Sequence, residues 1–169
     1  MTELRDRRTA DGPTRVDYTG AVYGSLLAAS VIIGASPGEH PAPPPSLVAV
    51  LLATGLVFWL AHVYARLTGD RVRGIEWRWT EIRSVGAAEW PLVQAAFPPA
   101  AMACAGWLLG LADATTAWLA LLVALAGQVG WGMAASFHVG ARTGWVLASG
   151  LVNLLLGLII IALKVLLSH

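Results

Sequence analysis

Long apolar runs alternate with short polar links along the whole chain. Five runs stand out, at 18–35, 47–67, 90–112, 115–139 and 145–167. Each is about 18–25 residues long, the length an α-helix needs to cross a hydrocarbon core of about 30 Å. The pattern predicts an all-α integral membrane protein with five transmembrane helices, because only helices and closed barrels satisfy every backbone group in lipid.

The links carry their own signals. Ser36 to Ser46 holds Pro37, Pro41, Pro43, Pro44 and Pro45. Proline lacks a backbone donor and clashes with the preceding turn, so this link is expected to be non-helical. Pro98 and Pro99 fall inside the third run and predict a kink near Gln94–Ala95. Asp113 and Thr115 mark a tight turn, and 140–144 is a second short link. Residues 68–89 are the one sizeable polar stretch inside the chain. Ile75, Trp79 and Ile82 recur there at helical spacing among Arg71, Arg73, Arg78 and Arg83. Trp and Arg around one apolar edge predict an interfacial amphipathic helix between spans 2 and 3. Residues 1–17 mix Arg with Asp and Glu and contain few apolar groups, which predicts a polar N-terminal segment without a core of its own. That segment is long and acidic as well as basic, so 18–35 reads as an uncleaved first span rather than a signal peptide.

Composition sharpens the class. The chain is 57% hydrophobic and 12% charged, against about 45–50% and about 25% in ordinary soluble domains. Net charge is +1, and without a basic face or a nucleic-acid motif, nucleic acid is not an expected partner. Cys104 is the sole cysteine, which excludes an intramolecular disulfide and a multi-cysteine metal site. Ten arginines against one lysine match the composition of GC-rich bacterial genomes. Their placement sets an orientation. The N-terminal segment, the 66–83 stretch and the Arg142 link are basic, whereas the Pro-rich link and the Asp113 turn carry no Lys or Arg. The positive-inside rule then puts the N-terminus in the cytoplasm and the C-terminus outside, in a plasma or inner membrane. Lys164 dissents, and its long stem allows it to snorkel to the outer face.

Two stretches carry candidate chemistry. His62-Val63-Tyr64-Ala65-Arg66 and His138-Val139-Gly140-Ala141-Arg142 share the pattern His-Val-x-Ala-Arg and each closes an apolar run. They read either as an internal repeat or as coincidence in a chain of low diversity. Ionisable groups at membrane depth are unfavourable unless they face a cavity, a partner or a ligand. His62 and His138 are therefore candidate proton relays or gates, with Arg66 and Arg142 one turn away, Trp59 three residues before His62 and Trp131 one heptad before His138. The bland alternative is a histidine that hydrogen-bonds a backbone carbonyl near its span end. Thr116, Ala120, Ala124, Gln128, Gly132 and Ser136 form an i, i+4 row on the fourth span, and Ser149, Asn153 and Gly157 another on the fifth. Together with Gln94 these polar residues line a narrow path or, more commonly, hydrogen-bond helix to helix. Gly20, Gly24 and Ala28 form a small-residue stripe suited to close helix approach.

Three functions follow as expectations. The first is a small channel or transport subunit, a homo-oligomer passing protons or monovalent cations in a pH-sensitive way. The second is a structural or regulatory subunit of a membrane assembly, with a membrane-protein partner. The third is a b-type haem carrier using His62 and His138 as axial ligands, or a metal site built from the same two with Glu89. No carboxylate lies deep in a span, and no Walker, zinc-protease or nucleophile-elbow motif is present. An enzyme is not expected.

Overall fold

The computed structural model describes residues 18–36, 41–72, 78–138, 140 and 142–167. The N-terminal segment 1–17, part of the Pro-rich link, Ile75 and Trp77 of the polar stretch, and Val139 and Ala141 of the second His-Val-x-Ala-Arg copy lie outside the described residues. The described residues are almost entirely helical, with no strand among them. The helices are α1 (Tyr18–Ala35), α2 (Pro44–Val72), α3 (Trp79–Glu89), α4 (Pro91–Gln94), α5 (Phe97–Leu108), α6 (Asp113–His138) and α7 (Thr143–Leu167). Three are long and apolar enough to cross a membrane: Pro44–Gly69 of α2, all of α6, and Thr143–Leu163 of α7. Residues Thr19–Ala35 of α1 form a shorter apolar helix.

One expectation about the elements needs correction, and another, the kink near Gln94–Ala95, is met by a full break in the helix. The Pro-rich link does not stay non-helical to Ser46, because Pro44 and Pro45 open α2. The first turn of a helix has no use for its amide hydrogens, so proline is well placed there. The third apolar run is not one continuous helix. It is divided into α4 and α5 by a turn at Ala95–Ala96. Pro98 and Pro99 remove the donors that would reach Gln94 and Ala95, and their rings crowd those carbonyls. Both prolines then sit in the first turn of α5, where a missing donor does no harm.

Helix ends follow local chemistry. At the end of α5, Gly110 adopts φ +69°. Its amide bonds Trp107 O at 3.1 Å, and Leu111 N–H reaches back to Gly106 O at 2.9 Å. This paired closure satisfies the last carbonyls and needs a glycine at the left-handed position. Asp113 then starts α6 with a carboxylate at the positive end of the helix dipole. At the start of α3, the Glu81 carboxylate accepts from the Arg78 backbone N–H at 3.4 Å, half of a capping box.

The core is built mostly from alanine. Ala28, Ala29 and Ile32 of α1 meet Leu47 and Leu51 of α2, Ala100 and Ala103 of α5, and Ala117, Ala120, Leu121 and Ala124 of α6. Small side chains let backbones approach closely, the packing habit of helices in lipid, where apolar burial against water supplies no drive. α1 and α6 share the most extensive interface, α6 also packs on α5 and α7, and α3 docks on α2. The Gly20–Gly24–Ala28 stripe faces this interior. A Cβ on Gly24 would land on the carbonyl oxygen of Leu92, in α4. The broken segment and the glycine stripe therefore fit each other: α1 comes closest where the α4–α5 chain changes direction.

Candidate functional site

The polar groups inside the apolar helices gather in two places. The first is the corner where α2 meets α3. Arg66 Nε lies 2.6 Å from Glu89 Oε1, with Glu89 almost fully buried and Arg66 half-exposed. Four residues separate Arg66 from His62, so both sit on one face near the end of α2. Trp59, one turn earlier, donates its indole N–H to Gly86 O at 2.9 Å and meets Trp90 edge-on, with ring centroids 5.7 Å apart. Gly86 allows this approach, since a Cβ there would sit 3.3 Å from the Trp59 ring. The ion pair and the indole hydrogen bond together fasten α3 along α2.

His62 lies on the other side of this corner. Its Nδ1 is 2.9 Å from Phe58 O. A carbonyl only accepts, so Nδ1 is the donor. The aromatic ring against His62 is that of Tyr23 on α1, with centroids 5.4 Å apart and planes tilted by 52°. Trp59 is turned away to Gly86 and Trp90. His138, exposed at the end of α6, repeats the local pattern: its Nδ1 is 3.0 Å from Ala134 O. Both histidines thus bond the carbonyl one turn back on their own helix. The residues that α2 and α6 contribute to the common core, Leu47, Leu51 and Ala117–Ala124, lie at the end of each helix opposite its histidine. The metal set of His62, His138 and Glu89 is corrected by this geometry. Among the described residues no group of three or more His, Cys, Asp and Glu gathers closely enough to hold an ion, and Glu89 is turned to Arg66.

The second place is the seam between α6 and α7. Gln128 is fully buried and Asn153 nearly so. Gln128 Nε2 donates to Asn153 O at 3.4 Å, and Asn153 Nδ2 donates to Ser149 O at 2.9 Å. Ser149 Oγ crosses to Gly132 O at 3.0 Å, while Ser136 Oγ takes the same carbonyl at 3.1 Å. Glycines make the seam tight. A Cβ on Gly132 would meet Asn153 Cγ at 3.0 Å, and one on Gly157 would meet Leu125 Cδ2 at 2.9 Å. The two polar rows read from the sequence therefore face each other. Gln128 Oε1 is buried without a hydrogen-bond partner. On the outside of the seam, Ser136, Ser149, Asn153 and Trp145 border an open notch of about 580 Å³.

The remaining candidates are spread out. Gln94 is exposed at the end of α4, Arg142 is exposed just before α7, and Trp131 is half-buried on α6. Tyr23, Gly86 and Trp90 belong to the α2–α3 corner and were not singled out by the sequence. One signal did point there: Glu89 is an acid placed directly before a span, facing the arginine that ends the previous one.

No family model, no curated protein and no solved structure matches this chain.

Proposed function

We propose that the protein is a multi-pass subunit of a plasma-membrane (inner-membrane) assembly, with a structural or regulatory role and no enzymatic activity of its own. In this reading α1, α2, the α4–α5 segment, α6 and α7 are five crossings. The N-terminus is cytoplasmic, the C-terminus is outside, and α3 lies along the inner interface. Arginine placement supports the orientation, and α2, α6 and α7 are each long and apolar enough to cross. One observation carries the role: Gln128 and Ser149 hydrogen-bond across the α6–α7 seam, while Asn153, Ser136 and both histidines bond the carbonyl one turn back on their own helix. Groups engaged in this way hold helices together. The wide apolar face of α7, with Leu151, Leu155 and Leu158 about half exposed, is the surface offered to lipid and to other subunits.

A second reading, a proton or monovalent-cation channel formed between copies, is favoured by the notch beside Ser136, Ser149 and Asn153. There a neighbouring copy would complete a polar-edged path. One set of experiments separates these readings. A photo-crosslinking residue at Leu155 is expected to trap a single discrete partner in the native membrane. Purified protein in liposomes is expected to pass no more potassium or protons than empty liposomes. Flux that disappears with Asn153→Leu, in a variant of unchanged melting temperature, would overturn the subunit reading in favour of the channel. An absorption spectrum of the same sample addresses the haem alternative: a Soret band lost in both His62→Ala and His138→Ala would install it.

A further inference from the structure

The α2–α3 corner also forms a groove of about 540 Å³, open to the outside. Trp59 and Val63 of α2 form one wall, Trp79, Ile82 and Arg83 of α3 the other, and Trp90 closes one end. Trp79 is 71% exposed and Trp90 39%, a large aromatic area to leave in water. Arg83 is the sole charged side chain among the lining residues. The two acids nearby are already engaged, Glu89 by Arg66 and Glu81 by the backbone amide of Arg78. The groove thus offers an indole-lined apolar trough with one cation on its wall and no anion. It lies along the second half of the long apolar helix α2 (Pro44–Val72), beside the Arg66–Glu89 ion pair. Tryptophan and arginine at that level are the usual anchors to lipid headgroups.

We propose that this groove is a binding site for one anionic phospholipid, its acyl chain along Trp59, Trp79 and Trp90 and its phosphate at Arg83. The inference rests on the reading that α2 crosses a membrane. A zwitterionic lipid fits the apolar trough equally well, so the selectivity for an acidic headgroup comes from Arg83. A guanidinium meets phosphate oxygens with two parallel hydrogen bonds in either lipid, and the net negative charge that the ammonium of phosphatidylcholine cancels sets the preference.

The test uses the purified full-length protein in nanodiscs of phosphatidylcholine containing a small fraction of lipid brominated on its acyl chain. Bromine quenches tryptophan at contact distance. The difference between the intact protein and Trp79→Phe isolates the quenching of Trp79. Brominated phosphatidylglycerol is expected to quench Trp79 at about one-fifth the concentration that brominated phosphatidylcholine requires, the factor one basic residue supplies at a membrane surface. Arg83→Gln should erase this preference and Arg83→Lys should restore part of it. Equal quenching of Trp79 by the two lipids in the intact protein would overturn the site, as would a preference that survives Arg83→Gln. Either result leaves the membrane reading standing if brominated lipid still quenches the remaining tryptophans. Absence of quenching at every tryptophan would overturn both.

Discussion

Arg66 and Arg142 close the two His-Val-x-Ala-Arg stretches in the same register, and the structure treats them differently. Arg66 is paired with a buried acid, while Arg142 is exposed before α7. Removing one partner of a buried pair leaves the other desolvated and unsatisfied. Arg66→Ala is expected to cost about 1–3 kcal/mol, the lower range being set by the half-exposure of Arg66. Arg142→Ala is expected to stay within about 0.5 kcal/mol. Thermal unfolding in detergent checks both, and Glu89→Ala added to Arg66→Ala should recover part of the loss. A melting temperature equally lowered by both arginine substitutions would show that the Arg66–Glu89 pair has no special weight. Gln128 makes the opposite case. Its amide nitrogen holds one long hydrogen bond and its oxygen none. Gln128→Met replaces an unsatisfied polar group with an apolar one of similar size and is expected to be neutral or stabilising. If the variant is stable but the protein loses its assembly partner, Gln128 serves recognition rather than packing. The residue types at both sites were legible in the sequence, since polar groups in apolar runs announce themselves. The partner of Arg66 was not, because a pairing across 23 positions depends on where α2 ends and how α3 docks.

At the scale of elements, periodicity and punctuation place most of the helices, and the differences lie at the prolines and at the polar end of α2, which runs on to Val72 past the apolar run. The bounds of α1, at Tyr18 and Ala35, coincide with the apolar run because polar and Pro-rich stretches flank it. α2 begins at Pro44, earlier than the apolar run predicts, since proline in a first turn resembles proline in a link until the backbone is seen. The third run shows the converse limit. Apolar composition does not distinguish one continuous helix from two short ones, and Pro98–Pro99 were the sole sign of the break. That break matters to α1, and the glycine stripe gives a matched test. A Cβ on Gly24 would strike the carbonyl oxygen of Leu92, a backbone atom with little freedom to yield. One on Gly20 would meet Leu92 N at an ordinary 3.5 Å. Gly24→Ala is therefore expected to destabilise by about 1–3 kcal/mol, as overpacked sites do. Gly20→Ala should be neutral or slightly stabilising, because alanine favours the helix over glycine. Equal melting temperatures for the two variants would show that α1 does not approach α4 as closely as the structure has it.

The molecule as a whole presents an outer surface that is the inverse of a soluble protein's. Its interior is alanine and glycine, and its large apolar side chains point outward: Trp107 and Leu108 of α5, Leu122 of α6, and most of the leucines and isoleucines of α7. A fold of this kind gains little from burying apolar area away from water and depends on close backbone packing and on a solvent that tolerates its surface. The composition made that legible before any geometry. The proposed number of crossings was less legible, because three helices are long and apolar enough to cross, whereas α1 and the α4–α5 segment are short or broken. Cys104 offers a direct test of the least secure crossing. It is the sole cysteine of the chain and lies exposed on the outer face of α5. In water, an exposed thiol reacts at once with any maleimide. In a bilayer, a charged maleimide is kept out of the hydrocarbon layer, where an ion is strongly disfavoured. Protein in sealed liposomes is therefore expected to remain unlabelled by a sulfonated maleimide on either side of the membrane and to become fully labelled after SDS. An apolar maleimide should reach Cys104 without detergent. Labelling by the charged reagent in intact liposomes at the denatured rate would place α5 outside the lipid and reduce the crossings to those made by the longer helices.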